Sequence, residues 1–274
     1  MVPKGASTPD PLDDFALETF SHDGVSRPVY RMSRPGTRAV VLLHEVPGIT
    51  PETARMARVL AATGYSVFLP SLFGTPGAPF SVGYASATLA RLCVAGEFAT
   101  FAARRSGPIV DWLRALCRAV HAEQGGPGVG VIGMCFTGNF AIALMADPSV
   151  LAPVTSQPSL PAGRPGELHL SPEDLVQLKA RARAGQPLLG LRFTGDVLCP
   201  RARFERLRAE LGDRFEALEL ESAAGNAHGI RRYAHSVLTL DFVDEAGHPT
   251  RAALDRVLAF LAERLGAPAP AARA

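Results

Sequence analysis

The chain has 274 residues, of which 47% are hydrophobic and 20% are charged, and its formal net charge at pH 7 is +2. This composition excludes a disordered chain, and the length is normal for one large α/β domain. The small net charge indicates neither a nucleic-acid nor a membrane surface, and no stretch approaches the roughly 18 apolar residues of a membrane-spanning helix. The sequence therefore predicts a soluble, cytoplasmic protein, either a monomer or a small homo-oligomer.

Both ends of the chain are rich in Pro, Ala and Gly and lack hydrophobic periodicity. This predicts a flexible N-terminal segment (1–13), one structured domain (14–266) and a flexible C-terminal tail (267–274).

The hydrophobic pattern in the middle of the chain predicts strands that alternate with helices. A turn separates the first two strands, which favours an antiparallel pair. Several of the later strands are continuous apolar runs, which are typical of strands covered on both faces. The predicted strands are 15–21, 28–33, 39–44, 65–70, 129–134, 150–156, 187–195 and 215–222.

The helices predicted between these strands have apolar residues at helical spacing, and two of them carry clear start signals. Thr50 stands before a proline and a glutamate, and so does Ser171. The predicted helices are 51–63, most of 85–122, one from about 136, one from 172, one near 201–211, and 251–265. This alternation predicts right-handed crossovers and a mostly parallel, doubly wound sheet, whose functional sites form at the carboxyl ends of the strands.

One segment, VGVIGMCFTGNFAIALM (129–145), has the pattern of a sharp strand-to-helix turn that carries a nucleophile. Cys135 has Gly133 two residues before it and Gly138 three residues after it. So tight a turn needs small neighbours and lifts the side chain above the sheet, and the start of the next helix favours a thiolate. Cys135 is therefore the candidate nucleophile, and the alternative is a small core residue.

The other three cysteines, Cys93, Cys117 and Cys199, are interpreted as structural. Two of them lie in helical patterns, and the third lies in a loop without such a turn. None of the four forms a CxxC pair, so a disulfide framework or a zinc site is not indicated.

Four segments together resemble the dienelactone hydrolase family. They are LLHEVPGI (42–49), GMCFTG (133–138), FTGDVLCP (193–200) and the histidine-containing stretch 225–240. The resemblance covers about residues 39–265, and its specific mark is cysteine where most α/β-hydrolases have serine. It implies an α/β-hydrolase fold and a Cys–His–Asp triad that hydrolyses a small ester or lactone through a thioester, without a metal or cofactor.

The resemblance also implies individual roles. Cys135 would be the nucleophile, Asp196 would orient the histidine, and Glu45 would contact the resting thiol. The backbone N–H groups of Val46 and Phe136 would form the oxyanion hole. Independently of the resemblance, Asp196 follows a buried strand, so its carboxylate is expected at that strand's carboxyl end, and the alternative is a turn or cap residue. The alternative for Glu45 is a solvated loop acid.

The sequence departs from the family pattern in two places. Thr137 stands where the family usually has glycine, and this residue would either shift the turn or add a hydroxyl near the site. The loop 71–85 has no clear counterpart of the arginines that grip the substrate carboxylate in dienelactone enzymes.

Two histidines qualify as the base, because both follow the strand after the one that precedes Asp196. His228 lies 32 residues after Asp196 and His235 lies 39 residues after it. His235 begins the segment HSVLT, which looks like the start of the family's loop, and this favours His235, with His228 as the alternative. His248 is interpreted as a turn residue, and His44 is expected to pack or hydrogen-bond at the entrance.

Two other functions are compatible with the same pattern. One is a non-catalytic α/β-hydrolase-like protein that binds a small ligand in the cleft, which would require that neither histidine reaches Cys135. The other is a different hydrolase in which Cys135 is a bystander, and the absence of a G-x-S-x-G motif weighs against it.

Overall fold

The computed structural model describes residues 8–95, 98 and 107–267. These residues form one α/β domain around an eight-stranded sheet with the order β1-β2-β4-β3-β5-β6-β7-β8. The strands are β1 (Ala16–His22), β2 (Val25–Met32), β3 (Ala39–Leu43), β4 (Ser66–Pro70), β5 (Val129–Met134), β6 (Val150–Ser156), β7 (Leu188–Phe193) and β8 (Phe215–Leu220). The first two form an antiparallel hairpin added to β4, and the six strands from β3 to β8 are parallel, as predicted.

Helices cover both faces of this sheet. They are α1 (Pro51–Ala62), α2 (Val82–Val94), α3 (Pro108–Gln124), α4 (Gly138–Leu144), α5 (Pro172–Arg183), α6 (Arg201–Leu211) and α7 (Pro249–Leu265). Core residues of α1 and α7 pack on one face, and those of α3, α4, α5 and α6 pack on the other. A doubly wound sheet has this arrangement, because each right-handed crossover places its helix on one face.

Strand β3 shows why its sequence reads as a continuous apolar run. Val41 and Leu43 point into the layer that contains α3 and α4, whereas Val40 and Leu42 point into the layer that contains α1 and α7. All four side chains are buried. A strand with a core on each face needs apolar residues at every position rather than at alternate ones.

The predicted start signals of two helices are confirmed. The Thr50 side chain accepts a hydrogen bond from the Thr53 N–H at the start of α1, and Ser171 caps α5 in the same way. The structure places His248 as the cap of α7, where its side chain accepts a hydrogen bond from the Thr250 N–H. These caps satisfy N–H groups that have no partner within the helix.

The predicted helical region 85–122 corresponds to α2 and α3. Residues 96, 97 and 99–106 of that region lie outside the described residues. Helix α3 is held against the hairpin by Trp112, whose indole N–H donates to the carbonyl of Val25 at 3.1 Å. The Trp112 ring also packs edge-on against Phe20, with 5.3 Å between ring centroids. This corner joins the antiparallel end of the sheet to the helical layer.

The first described residues differ from the mobile end that composition predicts. Both carboxylate oxygens of Asp10 accept hydrogen bonds from the Arg58 guanidinium on α1, and Leu12 is buried in the core. Residues 1–7 and 268–274, which belong to the predicted flexible ends, lie outside the described residues. Within the described part of the chain, no helix is long and apolar enough to cross a membrane.

Candidate active site

Four polar side chains follow the carboxyl ends of neighbouring parallel strands. Glu45 comes two residues after β3, Cys135 directly after β5, Gln157 directly after β6 and Asp196 three residues after β7. Because these strands are parallel neighbours, their ends meet at one edge of the sheet. A cavity of about 520 Å³ opens there, and its lining includes Glu45, Val46, Cys135, Phe136 and His235.

Cys135 sits on a sharp turn with a backbone φ of +54°, a conformation that L-residues rarely adopt. The turn needs its two glycines. A Cβ atom on Gly133 would lie 2.4 Å from the carbonyl oxygen of Thr137, and one on Gly138 would lie 2.9 Å from that of Ser156. The turn is therefore the strand-to-helix elbow that the glycine spacing predicted.

Thr137, which departs from the family pattern, does not face the cavity. It is fully buried, and its hydroxyl lies within hydrogen-bond distance of the carbonyls of Leu43 (3.1 Å) and Met134 (3.0 Å). It also accepts a hydrogen bond from the Met134 N–H. The added hydroxyl therefore ties the elbow to the end of β3.

His235 is the histidine that reaches Asp196. Its Nδ1 lies 2.8 Å from Oδ2 of the buried Asp196 carboxylate. The other carboxylate oxygen accepts hydrogen bonds from the backbone N–H groups of Leu198 (2.9 Å) and Cys199 (3.2 Å), which hold the carboxylate in place. Since a carboxylate only accepts, Nδ1 carries a proton.

The second ring nitrogen of His235, Nε2, is buried and has no hydrogen-bond partner among the described residues. One ring nitrogen of His235 lies within 4.8 Å of the Cys135 sulfur. Burial disfavours the imidazolium, but the negative charges of the Cys135 thiolate and Asp196 outweigh burial and raise the pKa of His235. The environment therefore favours the charged imidazolium form of His235.

Asp241 fixes the backbone that carries His235, and the sequence reasoning did not single it out. One of its carboxylate oxygens accepts hydrogen bonds from the N–H groups of His235 (2.9 Å) and Ser236 (3.0 Å). The other accepts a hydrogen bond from the guanidinium of Arg231. The available signal was its position, since Asp241 is the first charged residue after His235.

Glu45 is buried in the cavity wall and accepts hydrogen bonds from three side chains. The hydroxyls of Ser236 (2.8 Å) and Thr239 donate to it, and the Gln157 amide donates at 3.4 Å. Burial raises the pKa of Glu45 despite these donors. Two of the donors follow His235 closely in sequence, so the base-bearing loop also positions the glutamate. Sequence reasoning missed all three donors.

His44 positions the backbone beside Glu45. The Leu72 N–H donates to its Nε2 at 3.0 Å, so Nδ1 carries the proton and donates to the Glu45 carbonyl at 3.1 Å. Burial lowers the pKa of His44 to about 4, which keeps the ring neutral. The prediction that His44 packs or hydrogen-bonds is confirmed, but His44 is fully buried and is not among the described residues that line the cavity, so it does not lie at an entrance.

Ser159 is a polar contact of the nucleophile that sequence reasoning also missed. Its hydroxyl lies 3.6 Å from the Cys135 sulfur, and its N–H donates to the Cys135 carbonyl at 3.1 Å. Ser159 stands three residues after β6, in a Pro-rich segment that gave no sign of this contact.

His228 lies apart from these groups. It is exposed, its ring packs edge-on against His248 at 5.6 Å, and it is not among the described residues that line the cavity. The remaining cysteines differ from Cys135 in their surroundings. Cys117 and Cys199 are buried, and burial raises the pKa of both thiols, whereas Cys93 lines the cavity from α2.

One group of three side chains in the described part of the chain has the composition of a metal site. It consists of Glu45, Cys135 and His235, whose ligand atoms lie within 4.8 Å of one another. Carboxylate, thiolate and imidazole all bind zinc. The chemistry implied by the sequence uses the same three groups directly, and the absence of a metal stays a prediction.

Two comparisons with known proteins indicate the same family for this chain. The family model described as "Dienelactone hydrolase family" matches residues 28–265. A carboxymethylenebutenolidase of Rhodococcus opacus is 29% identical over 217 residues, which are 78% of this chain and 75% of that protein.

Solved structures support the fold. A dienelactone hydrolase from Anabaena variabilis has a TM-score of 0.58 and 16% identity, with 94% of this chain and 99% of that chain covered. The dienelactone hydrolase-like promiscuous phosphotriesterase P91 from metagenomic libraries has a TM-score of 0.61 and 19% identity, with 90% and 96% covered. Because the family model matches most of its length, the chain belongs to the dienelactone hydrolase family and is a hydrolase with the α/β-hydrolase fold.

Proposed function

We propose that this hydrolase cleaves a small ester or lactone with Cys135 as nucleophile, His235 as acid and base, and Asp196 as the group that orients His235. One observation carries the proposal. A cysteine on a positive-φ elbow lies within 4.8 Å of a ring nitrogen of His235, and Nδ1 of that ring is 2.8 Å from Asp196. This arrangement of nucleophile, base and orienting group is typical of hydrolytic triads.

In the first half of the reaction, the Cys135 thiolate attacks the substrate carbonyl carbon. The carbonyl π electrons move to the oxygen, and a tetrahedral intermediate forms. When the intermediate collapses, the C–O bond to the leaving oxygen breaks, and the His235 imidazolium gives its proton to that oxygen. The products of this half are an alcohol, or the free hydroxyl end of an opened lactone, and a thioester on Cys135.

In the second half, water hydrolyses the thioester. Neutral His235 takes a proton from the water as it attacks, and the C–S bond then breaks to release the carboxylic acid and the Cys135 thiolate. The buried Asp196 stabilises the imidazolium in both halves, because its carboxylate accepts a hydrogen bond from the Nδ1–H group of His235.

The negative oxygen of each tetrahedral intermediate needs hydrogen-bond donors, for which we propose the backbone N–H groups of Val46 and Phe136. Phe136 directly follows the nucleophile, and Val46 stands in the loop after β3. Both residues line the cavity beside Cys135. Two N–H groups from these positions are the usual oxyanion hole of this fold.

Glu45 is proposed as the contact of the resting Cys135 thiol. Its carboxylate lies within 4.8 Å of the sulfur, and burial raises its pKa, which makes it a better proton acceptor than an exposed glutamate. His44 and the hydroxyl of Ser236 support this placement, because they hold the backbone and the carboxylate of Glu45.

Esters and lactones are the proposed substrates because a thiolate is a good leaving group. When the intermediate collapses, an alkoxide assisted by His235 can compete with the thiolate for departure, whereas an amide nitrogen competes poorly. The name of the Rhodococcus opacus relative also refers to a lactone. The cytoplasm is proposed as the location, since the four cysteines are all free and disulfides are rare there.

The first experiment compares two histidine variants in hydrolysis of p-nitrophenyl acetate. His235→Ala is expected to lower kcat/KM by roughly 10²- to 10⁴-fold, because it removes the acid and base. His228→Ala is the matched control and is expected to stay within about twofold of the wild type, since His228 is exposed outside the cavity.

Mass spectrometry of the quenched reaction tests the nucleophile. We expect an acetyl group on Cys135 in the wild type and none in Cys135→Ala, which should also lose turnover. Full turnover by Cys135→Ala would refute the proposal. Substrate binding without turnover by the wild type would favour the non-catalytic ligand-binding alternative.

A further inference from the structure

We propose that the substrate presents an uncharged hydrocarbon group to the cavity, so that neutral apolar esters are preferred over esters that carry a carboxylate. This inference rests on the proposed function and adds the substrate class. It differs from the chemistry in the name of the Rhodococcus opacus relative, whose butenolide carries a carboxymethylene group.

The walls of the cavity beside Cys135 are mainly apolar. Side chains from α2 and the segment before it, from the segment after β6 and from the loops after β7 and β8 meet there. They include Phe80, Val82, Leu89, Leu160, Leu198 and Leu240. The volume of about 520 Å³ is within the usual range for a small-molecule site, and such sites gain affinity mainly from the apolar surface that they cover.

The rim of the same cavity carries large apolar side chains that face solvent. Val82 and Leu198 are each 54% exposed, Leu89 is 44% exposed and Tyr233 is 62% exposed. Single exposed apolar residues are ordinary on a protein surface, but these four line one opening. A hydrocarbon chain that enters the cavity would cover them, which a small charged substrate would not.

The charges around the cavity disfavour an anionic substrate. The arginine among its described lining residues is Arg231, and its guanidinium is paired with Asp241. Glu45 adds a buried carboxyl group to the wall. A substrate carboxylate would therefore approach two acidic groups, while both cationic groups among the described lining residues already have acidic partners, Arg231 in Asp241 and His235 in Asp196. Desolvating an anion without a free cation to receive it is costly.

The test compares two substrates of equal chain length, p-nitrophenyl pentanoate and mono-p-nitrophenyl glutarate, which differ in a terminal methyl or carboxylate group. We expect kcat/KM for the pentanoate to be at least about 30-fold higher, an effect of a few favourable apolar contacts and one unpaired charge. Equal or faster hydrolysis of the glutarate would overturn the inference.

A gain-of-function variant sharpens this test. Leu89→Arg places a cation on the half-exposed rim of α2, and we expect the pentanoate-to-glutarate ratio to fall at least about tenfold, mainly through faster glutarate hydrolysis. Val82→Arg serves as a second rim variant. Val176→Arg on α5 is the matched control, because Val176 is 63% exposed and does not line the cavity, and its ratio should stay unchanged. An unchanged ratio in both rim variants would also count against the inference.

Alkylation of Cys135 by iodoacetamide provides a readout without turnover. We expect 1-octanol to slow the alkylation more than octanoate does. If neither ester is hydrolysed but octanol protects Cys135 selectively, the proposed function fails while the apolar site stands. If both esters are hydrolysed and octanoate protects as well as octanol, the inference fails while the proposed function stands.

Discussion

The two sides of the active site are held in place in different ways. On the nucleophile side, Cys135 is fixed by the backbone, since β5 ends in a tight turn that only Gly133 and Gly138 allow. On the base side, His235 lies in the long connection between β8 and α7, and it is held by the hydrogen bonds that it donates to the carboxylates of Asp196 and Asp241.

This difference separates local from tertiary determinants. The elbow is encoded in a few adjacent residues, because its requirement is steric and each glycine is close to the cysteine in sequence. The position of the loop that carries His235 depends on two hydrogen-bond acceptors. Asp196 is distant from that loop in sequence, and Asp241 shows its role only in the folded structure. Substitutions on the first side should therefore damage folding, and those on the second side should damage activity more than stability.

The largest effect is expected from Gly133→Ala. The new Cβ would lie 2.4 Å from a backbone carbonyl and 2.9 Å from the Cβ of Ala141, and neither neighbour is a flexible side chain. We expect the free energy of unfolding to fall by about 3 kcal/mol, measured in urea.

Gly83→Ala is the control for this change, because Gly83 is in α2 and a Cβ there meets nothing within 4 Å. It should leave stability unchanged or raise it by up to about 1 kcal/mol. Wild-type stability in Gly133→Ala would contradict the steric account of the elbow.

A smaller effect on stability and a clear effect on activity are expected from Asp241→Ala. The change removes an acceptor from two backbone N–H groups and the ion partner of Arg231. We expect kcat/KM to fall by roughly 10- to 100-fold, because His235 loses its position. The free energy of unfolding should fall by about 2 kcal/mol. Hydrogen exchange of the His235 and Ser236 amides should become faster.

Asp244→Ala tests whether any acid in this connection has the same effect. Asp244 is exposed and pairs at the surface with Arg251, a contact that contributes little. We expect near wild-type activity and exchange. Equal effects of the two alanine variants would show that Asp241 has no special role in holding the base.

The smallest expected effect concerns the electrostatic interaction between Cys135 on the nucleophile side and His235 on the base side. The Cys135 thiolate contributes to the raised pKa of His235, so histidine NMR signals should give a higher pKa for His235 in the wild type than in Cys135→Ala. For a base whose folded pKa is raised, the added stability is fully present below its unfolded pKa of about 6.5. It is lost as pH rises through the folded value. An identical His235 titration in both proteins would show that the thiolate and the imidazolium do not interact.

Much of the fold could be predicted because its signals are local. The apolar run of β3 and the Thr50 and Ser171 caps each report a requirement of a few adjacent residues. The start of α2 behind Ser81 was missed, because 71–85 was interpreted as a loop and its main signal is one hydroxyl that accepts from the Tyr84 N–H.

Predictability of the site follows the same division. The motifs and the family resemblance named Cys135, Asp196 and Glu45 as candidates, and they favoured His235 as the base with His228 as the alternative. The ambiguity arose because the loop before His235 folds on itself. The Asn226 side chain accepts from the His228 and Ile230 N–H groups and closes a local turn. A turn that a side chain closes adds residues between Asp196 and His235, but it has no hydrophobic pattern that could be recognised in the sequence.

The contact between Trp112 and the hairpin has a practical consequence for measurements of unfolding in urea. Trp112 is the chain's single tryptophan, 2% exposed, and hydrogen-bonded to β2. Its fluorescence emission therefore reports the corner where the antiparallel hairpin meets α3, and circular dichroism reports the whole sheet. If the two signals change at the same urea concentration, the hairpin unfolds with the parallel sheet. An earlier shift in emission would identify the hairpin as a separately melting unit.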